Sequence, residues 1–393
     1  LYRIKVLDRI APEGLALLGE DFAVGTDLDD PQGILVRSSR VDIADYPSLL
    51  GVARAGAGVN NITVEKATGA GICVFNTPGA NANAVAELVF TMLGIGARNL
   101  YEGMDFCRGL AGRAAAELKS RVESEKKNFR GFELAGKTIG VLGLGKIGLR
   151  VANRGVTAGM RVIGFDPFPA LENIHQLSPE VQLARSLGEM LKRVDVLTLH
   201  LPLNDKTRGM VDQAFLARLP AGAILLNYAR GGIVAEAAVL AALDSGRLSR
   251  YLSDFPSTAI IGHPRVLCSP HLGASTEESE EQCAIMAVGE LKSYLDYGNV
   301  SRSVNFPTAE AIPAGNVVAR LVMINRDVPG MIGFASQALG NGGINIVSYL
   351  NESNGAIGYN LIDLEAPLPP KLLATITAHP GVIRTRVIDL PSK

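Results

Sequence analysis

Neither sign of charge is in surplus in this chain of 393 residues: Lys and Arg number 38, Asp and Glu 39, and only 20% of residues are charged. A net charge of −1 gives no global field for holding nucleic acid or an acidic membrane, so neither is expected as a partner. Cysteine is scarce as well. Cys73, Cys107, Cys268 and Cys283 lie far apart with no C-x-x-C, so neither a zinc motif nor a disulfide framework is indicated, and no metal site is expected. Long hydrophobic runs are missing too. The apolar segments are short and broken by Gly and Pro, and none approaches the ~20 continuous apolar residues of a membrane span. The sequence reads directly into a strand at residues 2–7 without the pattern of a signal peptide, and a reducing cytoplasm is the expected compartment. What is present is ample length for two or three domains, with a small molecule as the partner.

Short apolar strands at residues 4–7, 34–36, 51–55 and 72–75 alternate with helix-like stretches at 12–18, 47–50, 64–68 and 84–96, the βα rhythm of a parallel, doubly wound sheet. The rhythm restarts with strands at 139–142, 194–199, 223–228, 250–254 and 266–269, so residues 94–274 form a second unit of the same α/β class. Ser275-x-x-Glu278 is a capping box that opens a long helix through about residue 297. No strand follows that helix, so residues 275–306 are expected to return to the first domain, residues 1–93. Residues 307–316, with two prolines and no periodicity, read as a linker. From 317 to 393 the order is strand, helix, strand, strand, helix, strand, the βαββαβ arrangement of a ferredoxin-like module, whose sheet needs cover that a second copy of the chain would supply.

The strand at 139–142 runs into Gly143-Leu144-Gly145-Lys146-Ile147-Gly148, a G-x-G-x-x-G turn whose backbone amides can approach a pyrophosphate at a helix N-terminus. Eighteen residues past Gly148 a second apolar strand ends in Asp166, placed to accept hydrogen bonds from an adenosine ribose. A carboxylate there repels a 2′-phosphate, and Pro167-Phe168 provides no Arg to receive one, so the motif favours NAD over NADP. Residues 131–138, from Gly131 to Gly136-Lys137-Thr138, match the P-loop pattern. They follow a polar helix-like run and lead into a strand, the reverse of what a P-loop requires, so Lys137 is read as a surface residue at a strand entrance.

Further blocks extend along the chain: Val36-Arg37-Ser38-Ser39, residues 54–62 from Arg54 to Ile62, residues 76–81 ending in Ala80-Asn81, Val85-Ala86-Glu87, Leu199-His200-Leu201-Pro202-Leu203, residues 227–232 around Arg230, and residues 270–276 around His271. With the glycine turn, they make the chain resemble the D-isomer-specific 2-hydroxyacid dehydrogenases, and within them the short D-3-phosphoglycerate dehydrogenases that carry a C-terminal ACT domain. The resemblance implies two Rossmann/flavodoxin-like domains plus the ACT module, a cleft that closes on substrate, NAD as cofactor, and oxidation of D-3-phosphoglycerate to 3-phosphohydroxypyruvate in serine synthesis. A glyoxylate or hydroxypyruvate reductase, or a non-catalytic NAD-responsive binding protein on the same scaffold, are the rival readings.

Oxidising a 2-hydroxy acid needs a base for the hydroxyl proton and a cation for the carboxylate and the developing carbonyl. Arg230, whose planar fork suits a carboxylate, and His271, held at a strand end by Pro270, are the candidates. The resemblance implies His200, Leu201, Pro202, Thr207, Ala229, Asp254 and Gly273 as further cofactor contacts. On the substrate side it implies Arg37 and Ser38, the backbone of Ala55 and Gly56, Asn81 and Arg98. Asn325, Asp327 and Asn345 fall at positions where relatives bind an amino-acid effector such as L-serine, at the interface of a homodimer or homotetramer. One departure stands out. The family places a glutamate five residues beyond the aspartate that is here Asp254, whereas this chain has Ala259 there and no carboxylate anywhere in 255–270. Asp254 itself, another acid or none is left to orient His271.

Overall fold

The apolar strands and amphipathic helices of the sequence fold, in a computed structural model that describes residues 1–390, into two compact units. One holds Leu1–Ala80 together with the chain from Glu277 onward, and the other holds Asn81–Thr276.

In the first unit, β1 (Tyr2–Val6), β2 (Phe22–Gly25), β3 (Gly33–Val36), β4 (Gly51–Arg54) and β5 (Cys73–Phe75) form an all-parallel sheet in the order β2-β1-β3-β4-β5. Such a sheet is buried on both faces, which is why its strands read as nearly unbroken apolar runs. On one face Ile34, Val36, Val52 and Val74 pack with Leu49, Ile62 and Ala67. On the other, Ile4, Leu35, Ala53 and Phe75 meet Leu291, Tyr294 and Leu295 of helix Glu277–Tyr297. The order reverses between β1 and β3, and ligands of open α/β sheets bind beyond the carboxyl ends of strands at such a point.

The second unit contains β6 (Thr138–Leu142), β7 (Arg161–Phe165), β8 (Gln182–Leu183), β9 (Val196–Leu199), β10 (Ala223–Asn227), β11 (Leu248–Ser253) and β12 (Val266–Cys268). They pair in parallel in the order β12-β11-β10-β9-β6-β7-β8, reversing between β9 and β6. Helix Ala82–Ala97 lies in this unit, whereas the sequence placed it in the first. Its Val85, Ala86, Val89 and Leu93 share a core with Ile139, Val141 and Val151.

The tail supplies β13 (Ala319–Arg326), β14 (Ile346–Ser353), β15 (Ile357–Leu364) and β16 (Val382–Asp389), an antiparallel sheet ordered β14-β15-β13-β16 with helices Met331–Asn341 and Pro370–Thr377 on one face. The ferredoxin-like order is present. The opposite face is covered from within the chain. Val322, Ile324, Tyr359, Leu361 and Ile388 join Tyr294, Leu295 and Phe306 in the first unit's core, so the module is part of that unit and this face needs no second copy.

Two further expectations are corrected. Residues 47–50 are not helical; the turn falls earlier, as a 3-10 helix Ile43–Asp45 capped by the Asp42 carboxylate. The helix expected over 12–18 is a single turn, Pro12–Leu15.

Candidate active site

The glycine turn follows β6 at the reversal point of the second sheet. Gly143 has φ +96°, and a Cβ on it would stand 2.5 Å from the His200 carbonyl oxygen, so neither the conformation nor the space admits a side chain. A Cβ on Gly148 would lie 1.9 Å from the Gly143 carbonyl oxygen, whereas one on Gly145 would meet nothing within 4 Å. The closed glycines therefore shape the turn and the open one leaves an approach to the backbone. Gly145 is the N-cap of helix Lys146–Thr157 with no side chain capping it, so the first amides, of Lys146 and Ile147, remain for an anion. Asp166 sits where the sequence placed it, and its carboxylate also holds the turn, accepting from Leu144 N at 2.8 Å and Phe168 N at 2.9 Å. Each oxygen keeps a second lone pair for a ribose hydroxyl. The donor set and the open Gly145 fit a dinucleotide.

His200 follows β9 with its Nε2 2.9 Å from Thr198 Oγ1; its Nδ1 is buried without a partner, and burial pushes the imidazole down to about 3. Its imidazole is neutral, and its main-chain carbonyl oxygen stands against Gly143. Thr207 closes the turn after Leu201-Pro202 by donating to the Pro202 carbonyl at 2.6 Å.

Arg230 and His271 follow β10 and β12, and β11 lies between those strands in the sheet. The Arg230 loop is held by the buried Asn227, whose Nδ2 donates to Arg230 O at 3.0 Å and whose Oδ1 accepts from Ala229 N at 3.2 Å. The exposed guanidinium turns back to the Ala229 carbonyl, Nη1 to O 2.7 Å. His271 has φ +57°, and its N–H reaches the carbonyls of Asp254 and Ser269. Its exposed ring has no hydrogen bond among the described residues and meets the Phe255 ring edge-on at 5.1 Å between centroids. Phe255 also packs on the arginine loop, since a Cβ on Gly231 would stand 3.2 Å from Phe255 Cβ.

Asp254 is the principal correction. It is 2% exposed, and its carboxylate is spent on the histidine loop: Oδ1 accepts from Ser269 Oγ at 2.5 Å and Leu272 N at 2.8 Å, and Oδ2 from Gly273 N at 2.7 Å. It does not swing in to orient the His271 ring. Glu87 is also no substitute, because it is exposed and paired with Arg154 at 2.9 Å.

The residues that the resemblance assigns to the substrate fall in both units, and each set is described within its own. Asp8, after β1, draws in the turn after β3: its Oδ2 accepts from Arg37 N at 2.7 Å, Ser38 N at 2.8 Å and Ser39 N at 3.0 Å, and its Oδ1 from Ser39 Oγ at 2.7 Å. Burial alone would push the Asp8 carboxyl up, but these bonds outweigh it and hold it down to about 2. The Arg37 guanidinium pairs with Glu280 at 2.8 Å. The amides of Ala55 and Gly56 are not free as expected, because they donate to Val36 O and Arg54 O; the next two, of Ala57 and Gly58, have no acceptor among the described residues. In the second unit, Asn81 is the N-cap of helix Ala82–Ala97 but makes no capping bond, and its Oδ1 is buried without a partner. Arg98, at the other end of that helix, is exposed and unpaired among the described residues.

The three effector candidates do not gather. Asn325 is 2% exposed inside the sheet, accepting from Asn360 Nδ2 at 2.7 Å and donating to Arg326 O at 2.7 Å, so its amide is committed. Asp327 accepts from Ser353 Oγ at 2.5 Å at the same end of the sheet. Asn345 donates to Glu365 at 2.6 Å at the opposite end, beside the Ile346–Leu364 pairing. The residues that sequence reasoning missed, Asp8 and Phe255, act by holding loops, and no motif marks them, whereas Asn227 stands in the block 227–232 without a role assigned to it. No cluster of metal-binding side chains and no helix long and apolar enough to cross a membrane occurs among the described residues.

Residues 103–273 match the family model described as D-isomer specific 2-hydroxyacid dehydrogenase, NAD binding domain. D-3-phosphoglycerate dehydrogenase of Methanocaldococcus jannaschii is 36% identical over 290 residues, 71% of this chain and 53% of that protein. The Bacillus subtilis protein of the same name is 33% identical over 327 residues, 78% of this chain and 59% of its own. The chain thus spans about half the length of the curated relatives it matches. Among solved structures, the TT0316 protein of Thermus thermophilus superposes with a TM-score of 0.64 at 28% identity, covering 77% of this chain and 99% of that one. The NAD+-bound 3-phosphoglycerate dehydrogenase of Entamoeba histolytica superposes with a TM-score of 0.62 at 26% identity, over 77% and 98%.

Proposed function

We propose that this chain, whose residues 103–273 form the NAD-binding domain of a D-isomer specific 2-hydroxyacid dehydrogenase, oxidises D-3-phosphoglycerate to 3-phosphohydroxypyruvate. The observation that carries the reading is the arrangement at the carboxyl ends of β10, β11 and β12. There the loop of Arg230 and the ring of His271 meet the same phenyl group, on the sheet whose reversal point bears the open glycine turn.

Gly143, Gly145 and Gly148 with the Lys146 and Ile147 amides would hold the pyrophosphate of NAD, and Asp166 its ribose. When bound, NAD supplies the hydride acceptor. Arg230 offers two parallel N–H groups to the substrate carboxylate and polarises the carbon that becomes a carbonyl. The neutral His271 ring takes the hydroxyl proton on a nitrogen that no other group occupies. In the first unit, Arg37 and Ser38, with the Ala57 and Gly58 amides, are assigned to substrate binding. The partner we assign to the assembly is a second copy of the chain. Helices Leu100–Arg108 and Ala115–Glu125 and the 3-10 helix Lys126–Phe129 contain no buried residue, and Leu100, Tyr101 and Met104 are 43–60% exposed. L-serine as effector and a cytoplasmic location belong to the same reading.

NADH formation from D-3-phosphoglycerate, compared in the native protein and His271→Ala, tests it; the variant should lose about a thousandfold in kcat, the scale of a positioned base. The second reading, reduction of glyoxylate or hydroxypyruvate, is favoured by one observation, that Arg37 is already neutralised by Glu280. Turnover of those keto acids with NADH, without turnover of D-3-phosphoglycerate, would replace the first reading with the second.

A further inference from the structure

An acid–base histidine works at a fixed direction, and that direction is commonly set by a hydrogen bond to the ring nitrogen that does not react. His271 has no such bond among the described residues. The carboxylate that the family resemblance places at residue 259 is an exposed alanine here, and the Asp254 carboxylate accepts from Ser269, Leu272 and Gly273 and makes no bond to the His271 ring. Those bonds, with the His271 N–H on the Asp254 and Ser269 carbonyls, fix the main chain of the loop and leave the imidazole to be fixed by something else.

What touches it is Phe255. The two rings meet edge to face, 61° between planes, in the geometry that aromatic pairs favour. Phe255 is itself held: its N–H donates to Ser253 Oγ at 3.1 Å, it is half-buried, and its Cβ abuts Gly231, the residue after Arg230. A larger residue at 231 would push the phenyl group away, so the small Gly231 and the ring of Phe255 together set the spacing between the arginine loop and the histidine. We propose that Phe255 is the positioning residue of His271, giving by shape the orientation that a carboxylate would otherwise give by charge. The inference rests on the assignment of His271 as the acid–base residue.

The test is steady-state kinetics of the full-length chain with Phe255→Leu, which keeps the apolar bulk and removes the ring, and Phe255→Tyr, which keeps the ring. The expected result is a kcat lower by about tenfold in F255L with KM for NAD within about twofold of the native value, and restoration to within about twofold of native kcat in F255Y. Two outcomes would overturn the proposal. One is a native kcat in F255L. The other is a joint loss of kcat, NAD affinity and thermal stability that Tyr does not rescue, which would mark Phe255 as packing only. His271→Ala run alongside separates the levels: a near-native kcat there removes the assignment of His271 itself, while a large loss there with an unaffected F255L removes only the role of Phe255.

Discussion

Asp8 shows how much of a binding loop can depend on one carboxylate. Three successive amides and one hydroxyl converge on its two oxygens, and an amide side chain at that position could not accept them all, since one of its ends only donates. Asp8→Asn should therefore loosen the Arg37–Ser39 turn and cost about 1 kcal/mol of stability, a figure kept small because solvent screens a half-buried group. Since its carboxyl is held down to about 2 in the folded chain, the native advantage is fully present above the ordinary carboxylate range and fades as pH falls from about 4 through 2. Denaturant midpoints of both proteins at pH 7 and pH 3 check this, and the gap between them should narrow at the lower pH. Glu280 acts on the same turn from the other side. If the far end of the substrate is an anion, it competes with Glu280 for Arg37, and Glu280→Gln should lower KM for D-3-phosphoglycerate about two- to fivefold with kcat unchanged, the scale of an exposed ion pair. An unchanged KM would mean that Arg37 does not receive the phosphate. The glycine turn was legible because a strand, three spaced glycines, a helix and a strand ending in an acid follow in order, and Arg37, Arg230 and His271 were singled out through the blocks of the family resemblance. Asp8 and Phe255 were not, because an aspartate or a phenylalanine that serves a loop looks the same in sequence as one that serves a surface or a core.

Helix Glu277–Tyr297 is the element on which the first unit's two sheets depend, and its C-terminus shows why. The last carbonyls of a helix lack intrahelical donors. Here side chains of the tail module donate to them: Arg386 to Leu295 O at 3.2 Å and, beside the Gly298 N–H, to Tyr294 O at 2.5 Å, Arg320 to Tyr297 O at 2.8 Å, and Tyr359 to Gly298 O at 2.6 Å. Arg320 is completely buried and is balanced by Asp363 through two bonds, Nε–Oδ1 2.6 Å and Nη2–Oδ2 3.0 Å. Removing one partner of a buried pair strands the other charge, so Asp363→Ala should destabilise the chain by about 3–5 kcal/mol in chemical denaturation at neutral pH. A loss under about 1 kcal/mol would show that water reaches the guanidinium. The elements themselves were largely readable, and the failures share a cause. β8 is two exposed residues and β2 an edge strand of four, too short and too mixed in burial to carry a period. β13 runs through Asn325 to Arg326, past Ile324, its last apolar position, so this strand end carries no local signal. Strand ends are set by pairing, here Asn325 with Gly358, and a partner strand some thirty residues away is invisible to a local pattern.

At the scale of the whole molecule, the tail module is not an appendage. Val322, Ile324, Tyr359, Leu361 and Ile388 each lie at 6% exposure or less in one core with Phe75, Tyr294, Leu295 and Phe306, and Arg384 reaches across to the Leu49 carbonyl at 2.6 Å. A fully buried apolar side chain contributes about 1.5–3 kcal/mol, so this seam of five residues contributes on the order of 10 kcal/mol. That is comparable to the entire stability of a typical domain, about 5–15 kcal/mol. The linker 307–316 reads as a place to divide the chain, yet its Ala309 is 1% exposed and bridges to Val300, so it too is built into the unit. A chain ended at residue 316 should therefore lose the fold of the first unit, exposing Tyr294, Leu295 and Phe306 together with the uncapped end of the long helix. The second unit holds the glycine turn and its own cores, so NAD binding should survive where turnover does not. Expression of the truncated chain, with NAD binding followed by calorimetry and turnover by NADH formation, separates these two properties. A truncated protein that keeps native turnover and cooperative unfolding would show that the seam is a loose contact rather than a shared core.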